Sequence, residues 1–226
     1  MFFLQRTSQP APEKWTTIYA DGHSLRKFYL PDSTQVTLDA NSSLSYSSGY
    51  NMANRTVTLT GQARFEVHRD SLRPFIVDAG GVATRALGTV FNVENRPEEG
   101  EIRVALTEGK VAVTTAANRN NPDVLLPGQI LLYKPATQQT RKADFSNDAY
   151  AWINGGLSFY SMPLADVLEK ISKKYGLQIK YDKNRLTGKS VTASFDRADW
   201  RQMLDNLLYL HDIHYTVKNN VITLRY

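Results

Sequence analysis

The side chains best suited to hold a metal or move a proton near neutral pH are four histidines, His23, His68, His211 and His214. None falls in an HExxH arrangement, and only His211 and His214 are close enough in sequence to share a local site. Two ligands three apart would suit a helix face, yet this pair stands where a helix should end and a strand begin. They read as helix-end or surface histidines. Glu98, Glu99 and Glu101 form an acidic cluster between strands, a solvated loop; a calcium loop would place Asp and Asn at alternating positions. Gly80-Gly81 lacks the phosphate-binding spacing and the following helix, so it reads as a turn. Tyr46 with Tyr50, and Phe159 with Tyr160, could stack on a sugar, but aromatic residues in strands pack into cores more often. The chain has no cysteine, which removes disulfides, thiolate metal sites and thiol nucleophiles together. No catalytic, cofactor-binding or metal-binding residue is assigned, and the chain reads as non-enzymatic.

The elements that would position any site fall into two groups. A length of 226 residues suits two domains, and 42% hydrophobic with 22% charged residues is a globular balance. Residues 1–14, with Pro10 and Pro12, read as a tether. From Trp15 to Ala136 the pattern is of short strands: Val36 and Leu38, Val57 and Leu59, Phe65 and Val67, Val104 and Leu106, Val111 and Val113. Pro31-Asp32, Ser48-Gly49, Gly80-Gly81, Glu108-Gly109 and Pro127-Gly128 punctuate them. This is an all-β domain, a sandwich or a solenoid-like stack. A polar linker is expected over 137–153.

Beyond it, Leu164, Val167, Leu168, Ile171 and Tyr175 mark one face of an amphipathic helix. Pro163 fits its first turn and Gly176 its stop. Asp196 could cap a second helix bearing Trp200, Met203, Leu204, Leu207 and Leu208. Strands are expected over 157–159, 178–181, 191–195, 214–217 and 221–224, with Asn219-Asn220 turning the last hairpin. The order βαββαββ over 154–226 describes a small two-layer α/β domain, two helices on one face of one sheet.

The formal charge is +5, and from Tyr150 onward eleven Lys and Arg stand against seven Asp and Glu, a surplus of four in the last third. These bases alternate with acids and form no dense run, which argues against nucleic acid. Neither a signal peptide nor a span of about 20 apolar residues is present.

Several runs resemble one family. Leu30-Pro31-Asp32-Ser33 with Val36-Thr37-Leu38-Asp39-Ala40-Asn41-Ser42 is similar to the opening of FecR anti-sigma factors. The likeness continues through Arg55 to Val67, Pro74-Phe75-Ile76-Val77, Leu87-Gly88-Thr89-Val90-Phe91-Asn92-Val93, Val104 to Val111, and Leu126-Pro127-Gly128-Gln129. Residues 157–226 resemble the C-terminal domain of Bacteroidetes FecR proteins, itself similar to the short signalling domain of secretins and TonB-dependent receptors. Two positions depart from the pattern. Ser33 replaces a usual Gly, so a type I turn is expected there in preference to a positive φ. Gln62 replaces a common Glu, which leaves no charge role at that position.

The resemblance implies a periplasmic region of a longer protein, anchored to the inner membrane by one helix that follows a cytoplasmic segment binding a sigma factor. Phe2 to Leu4 would then be the outer end of that helix or residues foreign to the protein. It implies iron or nutrient uptake regulation, with the signalling domain of an outer-membrane TonB-dependent receptor as partner and no cofactor. The surface expected to meet that partner is the basic C-terminal domain, with Lys173, Lys174, Lys180, Lys183 and Arg185 as rim charges. The alternative is direct binding of an iron chelate or glycan by the β domain.

Overall fold

The computed structural model describes residues 14–21, 24–52, 54–144, 152–153, 156–195, 199–219 and 221–226. The chain divides after Asp144 into two compact units.

In the first unit thirteen strands form one continuous sheet. They are β1 Trp15–Tyr19, β2 Arg26–Tyr29, β3 Gln35–Leu38, β4 Ser43–Ser47, β5 Arg55–Glu66, β6 Phe75–Ala79, β7 Val82–Ala86, β8 Val90–Arg96, β9 Glu101–Glu108, β10 Val111–Thr114, β11 Asp123–Leu125, β12 Gln129–Lys134 and β13 Gln139–Asp144. The strand β5 organises them, because its two halves pair with different neighbours. Residues 55–60 lie between β4 and β6, and residues 61–66 between β3 and β8. The change of neighbours falls at Gly61, whose φ is 94° and where a Cβ would stand 2.8 Å from the Ser42 Cα. Only glycine fits this close approach of β5 to the chain before β4.

Alternation along the strands sends one face of each half inward. Val57, Leu59, Phe75 and Val77 from one half and Ala63, Phe65, Phe91 and Val93 from the other belong to a single buried core. Phe65 links the halves, with its ring centroid 5.5 Å from Phe75 and 5.3 Å from Phe91. The sheet therefore curls around its own core. Neither expected alternative describes this fully, since the halves face each other as in a sandwich while β5 joins them into one sheet.

The expected linker is corrected at its start. Residues 139–144 are the strand β13, paired along its whole length with β12. Its side chains are mostly exposed on both faces, so no hydrophobic alternation marks it; main-chain hydrogen bonds hold it as an edge. At the Pro31-Asp32 hairpin, Ser33 N–H donates to Leu30 O at 2.9 Å and Leu30 N–H to Thr34 O at 2.9 Å. Ser33 nevertheless adopts φ 67°, contrary to expectation. A tight turn followed by one left-handed residue is the usual three-residue hairpin, and the register of β2 against β3 imposes that conformation on serine.

The second unit comprises β14 Leu157–Pro163, α1 Leu164–Tyr175, β15 Gln178–Lys180, α2 Lys183–Leu186, β16 Ser190–Phe195, α3 Trp200–Tyr209, β17 His214–Lys218 and β18 Val221–Arg225. Leu164, Val167, Leu168 and Ile171 of α1 are buried, as their spacing predicts, with Met203, Leu204, Leu207 and Leu208 of α3. They form one core with Ile222 and Leu224 of β18. Pro163 sits just ahead of α1, one position earlier than expected. Gly176 closes the helix at φ 63°, and Leu177 N–H returns to Ser172 O at 3.0 Å.

Two features differ from the expected arrangement. The strands make two sheets, an antiparallel β14-β16 pair and a mixed β15-β18-β17 sheet with β15 parallel to β18. Alternation identifies strands but not their partners, and here the second strand skips its sequence neighbours to join the last. The one-turn helix α2 is also additional; it buries a single residue, Leu186, which leaves no periodicity to read, although Asp182 caps it by accepting from Asn184 N–H at 2.9 Å. The cap of α3 is Asp199; Asp196, expected in that role, lies outside the described residues, as do Asn220 and the tether through residue 13. Asn219 adopts φ 50°, as a hairpin turn requires.

Candidate functional site

The five basic residues expected at a partner contact occupy three consecutive elements of the second unit. Lys173 and Lys174 end α1, Lys180 ends β15, and Lys183 and Arg185 lie in α2; all five are exposed. The helix α1 packs against both β15 and α2. Two of the five are tied locally: Lys174 Nζ donates to Gly156 O at 3.1 Å, and the Arg185 guanidinium stands 5.7 Å from the Tyr226 ring centroid. Lys173 and Lys174 also face the α1 carbonyl end, where the helix dipole favours positive charge.

On the β15-β18-β17 sheet the two faces differ sharply. Ile179, Ile222, Leu224 and Tyr215 turn toward the helices, whereas Lys180, Thr223, Thr216, Arg225 and His214 stand on the other face and are exposed. Among the described strand residues that outer face carries bases and no carboxylate. Lys180 is the member of the expected set that belongs to it, and His214 and Arg225, paired across β17 and β18, join it on that face.

The sites weighed for chemistry fall apart. Among the described residues no three His, Cys, Asp or Glu side chains converge as metal ligands. His214 is exposed on β17, and His23 lies outside the described residues. His211, half-buried after α3, has its pKa lowered by burial and then by Lys189. Its charged form is thus disfavoured in the fold. It contributes stability above its unfolded pKa of about 6.5, and that contribution is lost as pH falls through the lower folded value. Denaturant midpoints of the second unit should therefore decline on acidification below about pH 6.5, and the His211→Gln variant should flatten the upper part of that decline. An unchanged profile in the variant would assign the decline to other groups.

The aromatic pairs are packing. Tyr50 is buried with its ring centroid 5.2 Å from Tyr46, and Phe159 is buried against Phe195. Burial, then the nearby Asp32 carboxylate, raises the Tyr50 phenol far above its ordinary value, so it stays neutral. Tyr215, which donates to Asp205 at 2.8 Å, is pushed up to about 12, chiefly by burial.

One polar cluster that sequence reading missed anchors the first unit. Arg55, at the start of β5, is 1% exposed and its NH1 nitrogen lies 3.1 Å from Asp32 Oδ2. Arg55 also donates to His68 O at 2.9 Å and to Arg73 O. Asp32 in turn accepts from Thr34 N–H at 3.0 Å and from its hydroxyl at 2.8 Å, while Thr34 Oγ1 accepts from His68 N–H at 3.2 Å. The Pro31-Asp32 turn, β5 and residues 68–73 are thereby pinned together.

Beside this cluster lies an open cleft of about 420 Å³, bordered by Tyr29, Gln35, Glu66, His68, Thr89 and Glu108. Its walls come from Tyr29 to Gln35, Glu66 to His68, Gly88 to Val90, and Glu108, four places separated in sequence that meet here.

Comparison with known proteins agrees with this architecture. Residues 16–112 match the family described as FecR protein, and residues 156–224 the family described as FecR, C-terminal. Two crystal structures of a candidate anti-sigma factor from Parabacteroides distasonis ATCC 8503, at 2.50 Å and 1.65 Å, superpose with a TM-score of 0.80 at 26% identity. Each alignment covers 93% of this chain and 98% of the other. Curated proteins gave no significant match. Among the described residues no helix is long and apolar enough to cross a membrane. With both of its units matched, in order, by the two parts of a single family, the chain belongs to the FecR family of anti-sigma factors.

Proposed function

We propose that this chain is the periplasmic, non-catalytic receiver of a transmembrane anti-sigma factor, and that its second unit meets the signalling domain of an outer-membrane TonB-dependent receptor. A receiver of this kind needs two states and a partner with different affinity for each. Contact in the periplasm then biases the state of the whole protein and, through it, the hold on an extracytoplasmic-function sigma factor. The observation that carries the reading is the outer face of β15-β18-β17 with the adjoining α1 end and α2. Exposed bases, with no carboxylate among the described strand residues of that sheet face, suit an acidic partner, because complementary charge steers encounter and fixes register.

The test is kinetic. Replacing Lys173, Lys174 and Lys180 together by Glu should slow association with the isolated signalling domain of the genome-adjacent receptor by about tenfold at low ionic strength. The difference should shrink as salt rises and the Debye length falls to about 8 Å at physiological ionic strength. Thermal stability should stay near wild type, since exposed charges contribute little to folding. Equal association rates at low salt would remove the electrostatic contact, and absence of binding by the unmodified chain would remove the receptor as partner.

A further inference from the structure

We propose that the cleft in the first unit is a saccharide-binding site, with Tyr29 as the stacking platform and Glu66, Glu108, Gln35, His68 and Thr89 as its polar contacts. This goes beyond the receptor contact and does not depend on it, since the cleft belongs wholly to the first unit.

Its polar groups are of both kinds. Glu66 and Glu108 accept, while the His68 ring and the Thr89 and Ser33 hydroxyls can donate as well as accept. A polyol presents donors and acceptors together and matches such a mixture; a bare cation would need acceptors alone. Two carboxylates oppose the anionic oxygens of a ferric chelate. Tyr29, 70% exposed, offers an aromatic face of the sort that covers the C–H side of a sugar ring.

The site is held in shape before anything binds. Tyr29 Oη donates to Gln35 Oε1 at 2.9 Å, and Gln35 Nε2 donates to Glu66 Oε1 at 3.4 Å, so three of the contacts are oriented in a chain. The His68 backbone is fixed on both sides by Thr34 and by the buried Arg55. Val67 N–H donates to Thr89 O at 2.9 Å, which ties the two walls together. The β8-β9 register shifts between Val90 and Phe91, and such bulges re-aim side chains beside binding sites. Gly88, with φ 150°, lets the chain pass where a Cβ would stand 2.9 Å from the Arg69 side chain.

An independent observation points to an occupant. Thr89 borders the cleft, is 5% exposed, and its hydroxyl oxygen is buried without a hydrogen-bond partner among the described residues. Buried hydroxyls are nearly always satisfied, and this one belongs to a side chain that lines a polar cleft. Glu108 likewise joins no ion pair among the described residues.

The full chain should be screened on an array of plant, microbial and host glycans, and the best binder titrated as a free oligosaccharide against the amide NMR spectrum. Saturable shifts at Gly88, Thr89, Val90, Gln35 and His68 are expected. Tyr29→Ala and Glu108→Gln should each weaken binding at least tenfold while leaving the melting temperature unchanged, as both side chains are exposed. Thr89→Val, which removes only the unpartnered hydroxyl, should weaken binding without lowering stability. No array member bound above background would overturn the proposal. So would shifts outside the cleft, binding that survives all three variants, or shifts of the same amides by tetralysine or ferric citrate in place of any sugar.

Discussion

Asp32→Ala is expected to destabilise the first unit by about 3–5 kcal/mol, the cost of leaving a buried charge without its partner. The Arg55 guanidinium is 1% exposed, and Asp32 is the carboxylate it pairs with among the described residues. Removing that carboxylate leaves the positive charge with the backbone carbonyls of His68, Asp70 and Arg73. It also strips Thr34 of two hydrogen bonds, at 3.0 and 2.8 Å. The contrast is Arg73→Ala, which breaks the partly exposed pair with Asp70 and should cost about 1 kcal/mol or less. Urea unfolding followed by fluorescence resolves the two. Asp32→Ala losing no more than Arg73→Ala would show that the buried pair does not anchor the turn.

Leu168→Ala should cost about 2–5 kcal/mol in the second unit, because the side chain is fully buried in the core that joins α1, α3 and β18. That core is small, so little around the cavity can relax without disturbing Val167, Ile171 or Leu207, which share it. Lys173→Ala, five residues on but on the solvent side of the same helix, should cost less than about 0.5 kcal/mol. Guanidinium melts of the two variants test the helix phase directly. Similar losses at both positions would mean that α1 presents a different face to the core.

The helix faces and most strands of the first unit were legible in the sequence for a common reason. Leu164 to Ile171 and Met203 to Leu208 bury at the helical period, and Val57, Leu59 and Phe65 at the strand period, because burial of one face imposes the pattern. Where burial is two-sided or absent, the signal fails. Asp144 ends an edge strand with few buried side chains, and Leu186 is the lone buried residue of a one-turn helix. Pairing partners were not legible either, since β15 joins β18 across 40 residues of intervening chain by backbone hydrogen bonds that no side chain announces.

The candidate sites show the same division. Basic residues near α1 and α2 could be read from composition, although the open face of the β15-β18-β17 sheet could not. The cleft was unreadable as a site because Tyr29, Glu66, Thr89 and Glu108 come from four different runs. Their meeting follows from the pairing of β2, β3, β5, β8 and β9, with the Asp32–Arg55 pair, 23 residues apart in sequence, beside it. Ser33 shows register overriding residue preference, a left-handed position filled by serine where glycine would carry less strain.

The measurement closest to the central claim is hydrogen exchange of the full chain with and without the signalling domain of the genome-adjacent TonB-dependent receptor. The receiver account predicts saturable protection at the end of α1, along β15 and α2, and on β17 and β18. The first unit should be protected little by direct contact. Protection confined to the first unit, or none at concentrations well above micromolar, would contradict it.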